Sequence, residues 1–361
     1  MSNANSVDVR WAHLRTSAAR YVRKSAVSAA SSALVGVAMM VIAGGTIAPV
    51  YAADEIVLKA VTFLPTNREK MKIKGLMLID RINQLAAEKA PGRLKVQVLG
   101  GPEVIPSANQ PIAVRTGTVD IALTCASFYE GLVPVGDIIM LSQVPLEKER
   151  QGGALAFVRE LHERAGFFAL GRMDGTREPF FYVGTTKSVQ KPADLKGLRA
   201  GSISLFAEAF SRALGMSFQV MPFGDTYTAM ENGVIDVYVN ALDTQSVVGL
   251  SKLKGYMVVD HPVFVDNCIA IVNLVKWRSL GTELQKIMLD AQAEMENTAG
   301  KLMTEFNTNE RKKMVDAGVR FVKFSDADQK SFINLAYSAQ WEKMTRSQPE
   351  VAGKLKGMLI P

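Results

Sequence analysis

Thr116-Gly117-Thr118-Val119-Asp120-Ile121 and, further along, Asn232-Gly233-Val234-Ile235-Asp236-Val237 share one chemistry: a glycine, two residues that start a strand, and an acid at the strand's mouth. Glycine reaches the left-handed backbone region that closes a helix, at no steric cost. Working back from the first stretch, a short helix through Ile112 and Val114 follows a strand in which Leu94, Val96 and Val98 alternate with polar residues. Before that, Met71, Gly75, Ile79, Ile82 and Ala86 recur at the spacing of one buried helix face, predicting a helix over 68–89 that Pro91-Gly92 ends. The second stretch has the same surroundings: a helix over 205–214 stopped by Gly215, a strand over 218–221, a short helix over 227–231 and a strand over 235–239. Gln97-Val98 and Gln219-Val220 occupy matching strands. Strand, helix and strand in succession form a crossover unit, so two copies predict two α/β lobes of related topology.

Between Arg278 and Gln348 there is no proline, and Leu284, Ile287, Met288, Ala291, Met295, Leu302 and Phe306 keep helical spacing. One continuous helix over 280–317 would measure about 55 Å at about 1.5 Å per residue, long enough to lie across both lobes. The alternative is two helices broken near Asn297 to Gly300. The expected organisation is a leader over 1–52, a first α/β lobe of 53–174 with about 265–305, and a second of 175–264 with about 306–361.

Arg10, Arg15, Arg20, Arg23 and Lys24 stand against the single acid Asp8 at the amino end, ahead of an uncharged run rich in Ala, Val, Ser and Gly. The run closes on Val50-Tyr51-Ala52, small residues of the kind a signal peptidase accepts, so a cleaved secretory signal and a periplasmic location are expected. Without an Arg-Arg pair the general secretory route fits better than twin-arginine export. Removing 1–52 takes five of 42 basic and one of 35 acidic residues and leaves a formal charge of +3. So small a charge argues against nucleic acid as a partner. Cys125 and Cys268 are the only cysteines, both in apolar strand-like surroundings, and read as buried free thiols in preference to a bridge. Two histidines in the mature chain, His162 and His261, with no Cys/His spacing that suits zinc, point to no metal and no other cofactor.

Several segments in order resemble the dicarboxylate-binding type of TRAP (tripartite ATP-independent periplasmic) solute receptor. They are Ile56-Val57-Leu58-Lys59, Pro91-Gly92-Arg93-Leu94-Lys95-Val96, Arg115-Thr116-Gly117-Thr118-Val119-Asp120, Pro192-Ala193-Asp194-Leu195-Lys196-Gly197-Leu198, Met221-Pro222-Phe223 with Tyr227, and Gly233-Val234-Ile235-Asp236. The resemblance implies a two-domain fold like that of class II periplasmic binding proteins, a ligand cleft between the lobes, a long helix bracing both, and delivery of the solute to membrane permease subunits. It also implies an arginine three places beyond Leu198, where this chain has Gly201. An acid enclosed away from water needs a cation, and the planar arginine fork suits a carboxylate best. Arg177, in a segment resembling the interdomain crossing, and Arg199, on the strand of Gly201, are the candidate replacements, with Arg177 preferred. Asn240 matches an asparagine that can donate to and accept from a ligand. Phe223 matches an aromatic wall. Ser204 matches a ligand contact and also reads as a helix N-cap. Phe63, Cys125 and Phe128 fall where sugar-acid-binding relatives place polar contacts, which favours an aromatic or branched organic acid.

An enzyme is not expected. Ser251-Lys252-Leu253-Lys254 carries a Ser-x-x-Lys spacing without the accompanying motifs of acyl enzymes, and there is no nucleophile elbow, phosphate loop or dinucleotide glycine pattern. The expected partners are a small solute and the TRAP permease, with the receptor acting as a monomer. The alternative is a binding protein of an ATP-driven importer or of a sensory partner.

Overall fold

The computed structural model describes residues 54–134, 136–173, 175, 180–265 and 267–361. The predicted leader over 1–52 lies outside them, as does Arg177. The described strands are β1 (Ile56–Thr62), β2 (Leu94–Gly100), β3 (Ile121–Cys125), β4 (Phe167–Arg172), β5 (Phe181–Thr185), β6 (Arg199–Ser202), β7 (Ser217–Val220), β8 (Val237–Ala241), β9 (Met257–Val263), β10 (Cys268–Asn273) and β11 (Arg320–Val322). They form two sheets, ordered β2-β1-β3-β10-β4 and β11-β9-β5-β8-β6-β7. The sheets are mixed: β1 runs parallel to β2 and β3, and β6 parallel to β7 and β8, whereas β10 is antiparallel to both its neighbours and β5 to both of its own.

The paired sequence stretches occupy equivalent places. Gly117 and Gly233 close their helices at φ of 77° and 67°, and each aspartate then sits immediately before the first strand residue. Asp120 Oδ2 accepts from the backbone of Lys59 on β1 at 2.8 Å, and Asp236 Oδ2 accepts from the backbone of Arg199 on β6 at 3.1 Å. The registers agree, Ala60 lying opposite Ile121 and Ala200 opposite Val237. The strands expected over 119–123 and 235–239 therefore start two residues late, because their first residues are spent closing the parallel pair with a side-chain carboxylate.

That equivalence corrects the reading of Arg199 as a ligand contact. Its guanidinium meets Asp236 with two parallel bonds, Nε to Oδ2 at 2.8 Å and Nη2 to Oδ1 at 2.9 Å. The fork is spent on the clip between β6 and β8, and Arg199 does not line the cavity described below. Those bonds hold the Asp236 carboxyl down at about 2, from a usual 3.8. A depressed carboxyl contributes stability that is full above the unfolded value and lost as pH falls through the folded one. The unfolding temperature should therefore decline between about pH 4 and pH 2 less steeply in Asp236→Asn than in the native chain. The Arg199 side chain is half exposed, so the difference is expected to be modest. Equal slopes in a pH series of thermal melts would rule the clip out as a source of acid sensitivity.

The chain passes between the sheets three times, from β4 to β5, from β9 to β10, and from β10 to β11 through the helix Gly281–Asp316, which is continuous. Gly300 does not break that helix; it lets the β4–β5 crossing approach. A Cβ on Gly300 would sit 3.0 Å from the carbonyl carbon of Gly175, and one on Gly175 would collide with the Glu296 carbonyl oxygen. Buried polar groups gather nearby: Arg172 lies 3.5 Å from Glu149, and Gln292 donates to the Arg172 carbonyl. Each sheet buries its own apolar cluster, one built on Leu58, Leu123, Ala270 and Ile287, the other on Val183, Val239, Phe210 and Phe332. Ile138 to Leu141 and Val158 pack into the second cluster together with Leu355 and Leu359 of the carboxy-terminal helix.

The cysteines are not free thiols. Cys125 ends β3 and Cys268 begins β10, opposite each other in register, and they are joined as a disulfide. Sequence context showed two apolar strands but not that they are neighbours across 143 residues.

Candidate functional site

The ends of the strands from both sheets and the brace helix Gly281–Asp316 enclose a cavity of about 1000 Å³. From the first sheet's side come Phe63, Pro65, Arg68, Lys70, Cys125, Phe128 and Asn267. Phe180, Phe181, Ile203, Ser204, Leu205, Val220, Phe223, Asn240 and Asp243 come from the second, and Phe306, Glu310 and Lys313 from the brace helix. Of the residues singled out in sequence, Phe63, Cys125, Phe128, Ser204, Phe223 and Asn240 are brought together here.

Their surroundings set what each can do. Phe63 and Phe128 face one another with ring centroids 6.2 Å apart, forming an apolar wall with the disulfide. Cys125 thus lines the cavity as a disulfide sulfur, with no thiol to offer. The Ser204 hydroxyl accepts from the Phe206 backbone at 3.2 Å, capping a turn just ahead of the helix Ala207–Ala213. Asn240 is buried at the end of β8; its Oδ1 accepts from Ala241 N at 2.8 Å and its Nδ2 donates to the Tyr238 hydroxyl at 3.3 Å. Burial pushes the Tyr238 phenol up to about 12, so it remains a neutral donor and acceptor behind Asn240.

Gly201 faces away from the cavity. A Cβ there would lie 2.9 Å from Ile235 Cδ1 and 3.2 Å from Met221 Cβ, so the place of the implied arginine is filled by the packing of two apolar neighbours. No side chain fits without a shift of both.

Residues that sequence reading missed supply the cavity's charge. Lys70 is 8% exposed, donates to Asp243 at 2.9 Å, and stands 4.7 Å from the centre of the Phe180 ring. Lys74 approaches the same ring at 5.2 Å. The predicted helix over 68–89 contains a π turn, Lys72–Leu76, between α-helical pieces. Such turns insert an extra residue and often adjoin functional sites. The signal available in sequence was Lys70 and Lys74 bordering a stripe of buried residues, since buried lysines need a reason.

Asp137 lines the cavity's edge with both carboxyl oxygens buried and poorly bonded. Burial, then the neighbouring Glu130, pushes its carboxyl well above the usual range, so it is held neutral. Among the described residues no group of three or more His, Cys, Asp or Glu could hold a metal ion, and no helix is long and apolar enough to cross a membrane.

Residues 67–348 match the family model described as bacterial extracellular solute-binding protein, family 7. The chain is 26% identical over 259 residues to a monocarboxylate 2-oxoacid-binding periplasmic protein of Nostoc, covering 68% of this chain and 69% of that one. It is 23% identical over 289 residues to the 2,3-diketo-L-gulonate-binding periplasmic protein of Escherichia coli, covering 77% and 85%. In fold it is similar to a TRAP periplasmic solute-binding protein from Desulfovibrio salexigens crystallised with orotic acid, with a TM-score of 0.72 at 20% identity over 84% of this chain and 97% of that one.

Proposed function

The chain belongs to the family of bacterial extracellular solute-binding proteins, family 7, and we propose that its cavity captures a small organic acid with an aromatic or branched apolar body. The observation that carries this reading is the composition of the cavity wall. Phenylalanines from both lobes and the brace helix, with Met140, Ile203, Leu205 and Val220, make up much of the lining, and two of its three cations are already paired, Lys70 with Asp243 and Lys313 with Glu310. A polyhydroxylated acid would lose its water there without replacement hydrogen bonds, whereas an apolar body gains from burial. The bound acid is then handed unchanged to the membrane subunits of a TRAP permease, with the receptor acting as a monomer outside the inner membrane.

The lobes in this proposal are 53–174 with about 265–305, and 175–264 with about 306–361. A ligand that touches both favours the closed arrangement by bonding to each at once. The packing of Ile138 to Leu141 into the second lobe's cluster then ties the lobes together beside the cavity, which Met140 also lines.

A thermal-shift screen tests the ligand class. Acids such as phenylacetate, phenylpyruvate and 4-methyl-2-oxopentanoate should raise the unfolding temperature, since a ligand at one hundred times its Kd adds about 2.7 kcal/mol. Calorimetry should show one ligand bound per chain and no turnover. Stabilisation by sugar acids, with the aromatic and branched acids inert, would overturn the proposed class.

A further inference from the structure

An acid enclosed in this cavity needs a cation, and the described lining holds three: Arg68, Lys70 and Lys313. Lys313 is already taken. It donates to Glu310 at 2.5 Å, and Glu69 adds to the negative field around it. Lys70 is buried and held by Asp243 from the opposite lobe, its Nζ 2.9 Å from Oδ1 and 2.8 Å from Oδ2, but an ammonium has three donors, so one is left over. Arg68 sits two residues before Lys70 at the cavity's rim, and its guanidinium makes no hydrogen bond or ion pair with a described side chain. The opposing wall of the second lobe is Ile203, Leu205 and Val220, with Leu205 and Val220 left exposed at the mouth.

We propose that Arg68, with Lys70 behind it, grips the carboxylate of the ligand, which therefore lies with its acid group on the first lobe and its apolar body against Ile203, Leu205 and Val220 of the second. This orientation rests on the reading that the ligand is an organic acid, and it is the reverse of one set by an arginine at position 201. The arginine fork supplies two parallel bonds to one carboxylate, and the lysine, fixed in place by Asp243, supplies a third donor without having to be ordered when the ligand arrives. The exposed side chains of Leu205 and Val220 become covered when an apolar body fills the mouth, which accounts for apolar residues left open to solvent there.

The test pairs native mass spectrometry of the mature chain, purified without refolding, with calorimetric titration of phenylacetate, 4-methyl-2-oxopentanoate, succinate and phenylacetamide. Arg68→Ala should weaken the acids about 10- to 100-fold, the range for losing a charge-assisted bond, and reduce the preference for phenylacetate over phenylacetamide. Arg68→Lys should recover part of the loss. Lys70→Met combined with Asp243→Asn leaves no unpaired buried charge and should also lose acid affinity, with its thermal melt reporting that it is folded. Leu205→Ser should weaken 4-methyl-2-oxopentanoate more than succinate. Native-like affinity in both the Arg68→Ala and the Lys70→Met/Asp243→Asn variants, with affinity lost in Arg177→Ala, would place the grip elsewhere and sink this inference while leaving acid capture standing. A native chain that carries no acid adduct and binds none of the three acids would sink both.

Discussion

Replacing both cysteines, Cys125→Ser with Cys268→Ser, should lower the unfolding temperature by about 5–10 °C in scanning calorimetry. The bridge spans 143 residues, and a loop of that size removes enough freedom from the unfolded chain to be worth about 5 kcal/mol in the chain-entropy model. The folded state should change little in outline, because β3 and β10 are already paired by their backbones through Ile121 and Val272. What the bridge adds locally is a fixed apolar wall beside Phe63 and Phe128. Ligand affinity should therefore fall along with stability. A double variant that melts within a degree of the native chain would mean that the cysteines are not joined in the protein in solution.

Asp243→Ala is expected to cost about 3–5 kcal/mol in urea unfolding, because it leaves the buried Lys70 ammonium without its partner. The pair joins the helix that opens the first lobe to the helix that follows β8 in the second. It costs a good deal of hydration to bury, so removing both charges should do much less harm than removing one. Lys70→Met with Asp243→Leu is accordingly predicted to recover most of the loss, and the double-mutant cycle measures the coupling directly. A cost near about 1 kcal/mol for Asp243→Ala, typical of exposed pairs, would show that the pair is solvated in solution.

Much of the architecture was readable because it depends on local chemistry. Gly117 and Gly233 mark helix ends through backbone freedom, and the spacing from Leu284 to Phe306 marks one helix face. The start of β3 and β8 was misplaced by two residues because Asp120 and Asp236 bond across to another strand, which no local pattern reveals. For the same reason Arg199 read as a free cation in a cleft. Its partner is 37 residues away, and the sign that it was spent lay in the counterpart pair, Lys59 with Asp120, at the same register of the other sheet. Asn240 and Ser204, which line the cavity, were singled out by matching the chain to the positions of the family it resembles. Lys70 and Asp243, 173 residues apart, meet only once both lobes exist. The π turn at Lys72–Leu76 was equally hidden, since Met71, Gly75 and Ile79 fit an ordinary helix as well.

The seat of β10 has a consequence for how the chain is made. β4 touches no strand of its sheet except β10, which is synthesised only after five strands of the other sheet have appeared. As the polypeptide leaves the ribosome, β1, β2 and β3 can pair, but β4 must wait without a neighbour until some hundred further residues have followed it. A half-made lobe of that kind cannot lock shut early. Completion of the first sheet is thereby deferred until most of the second has been made, so its closing is a late event in folding.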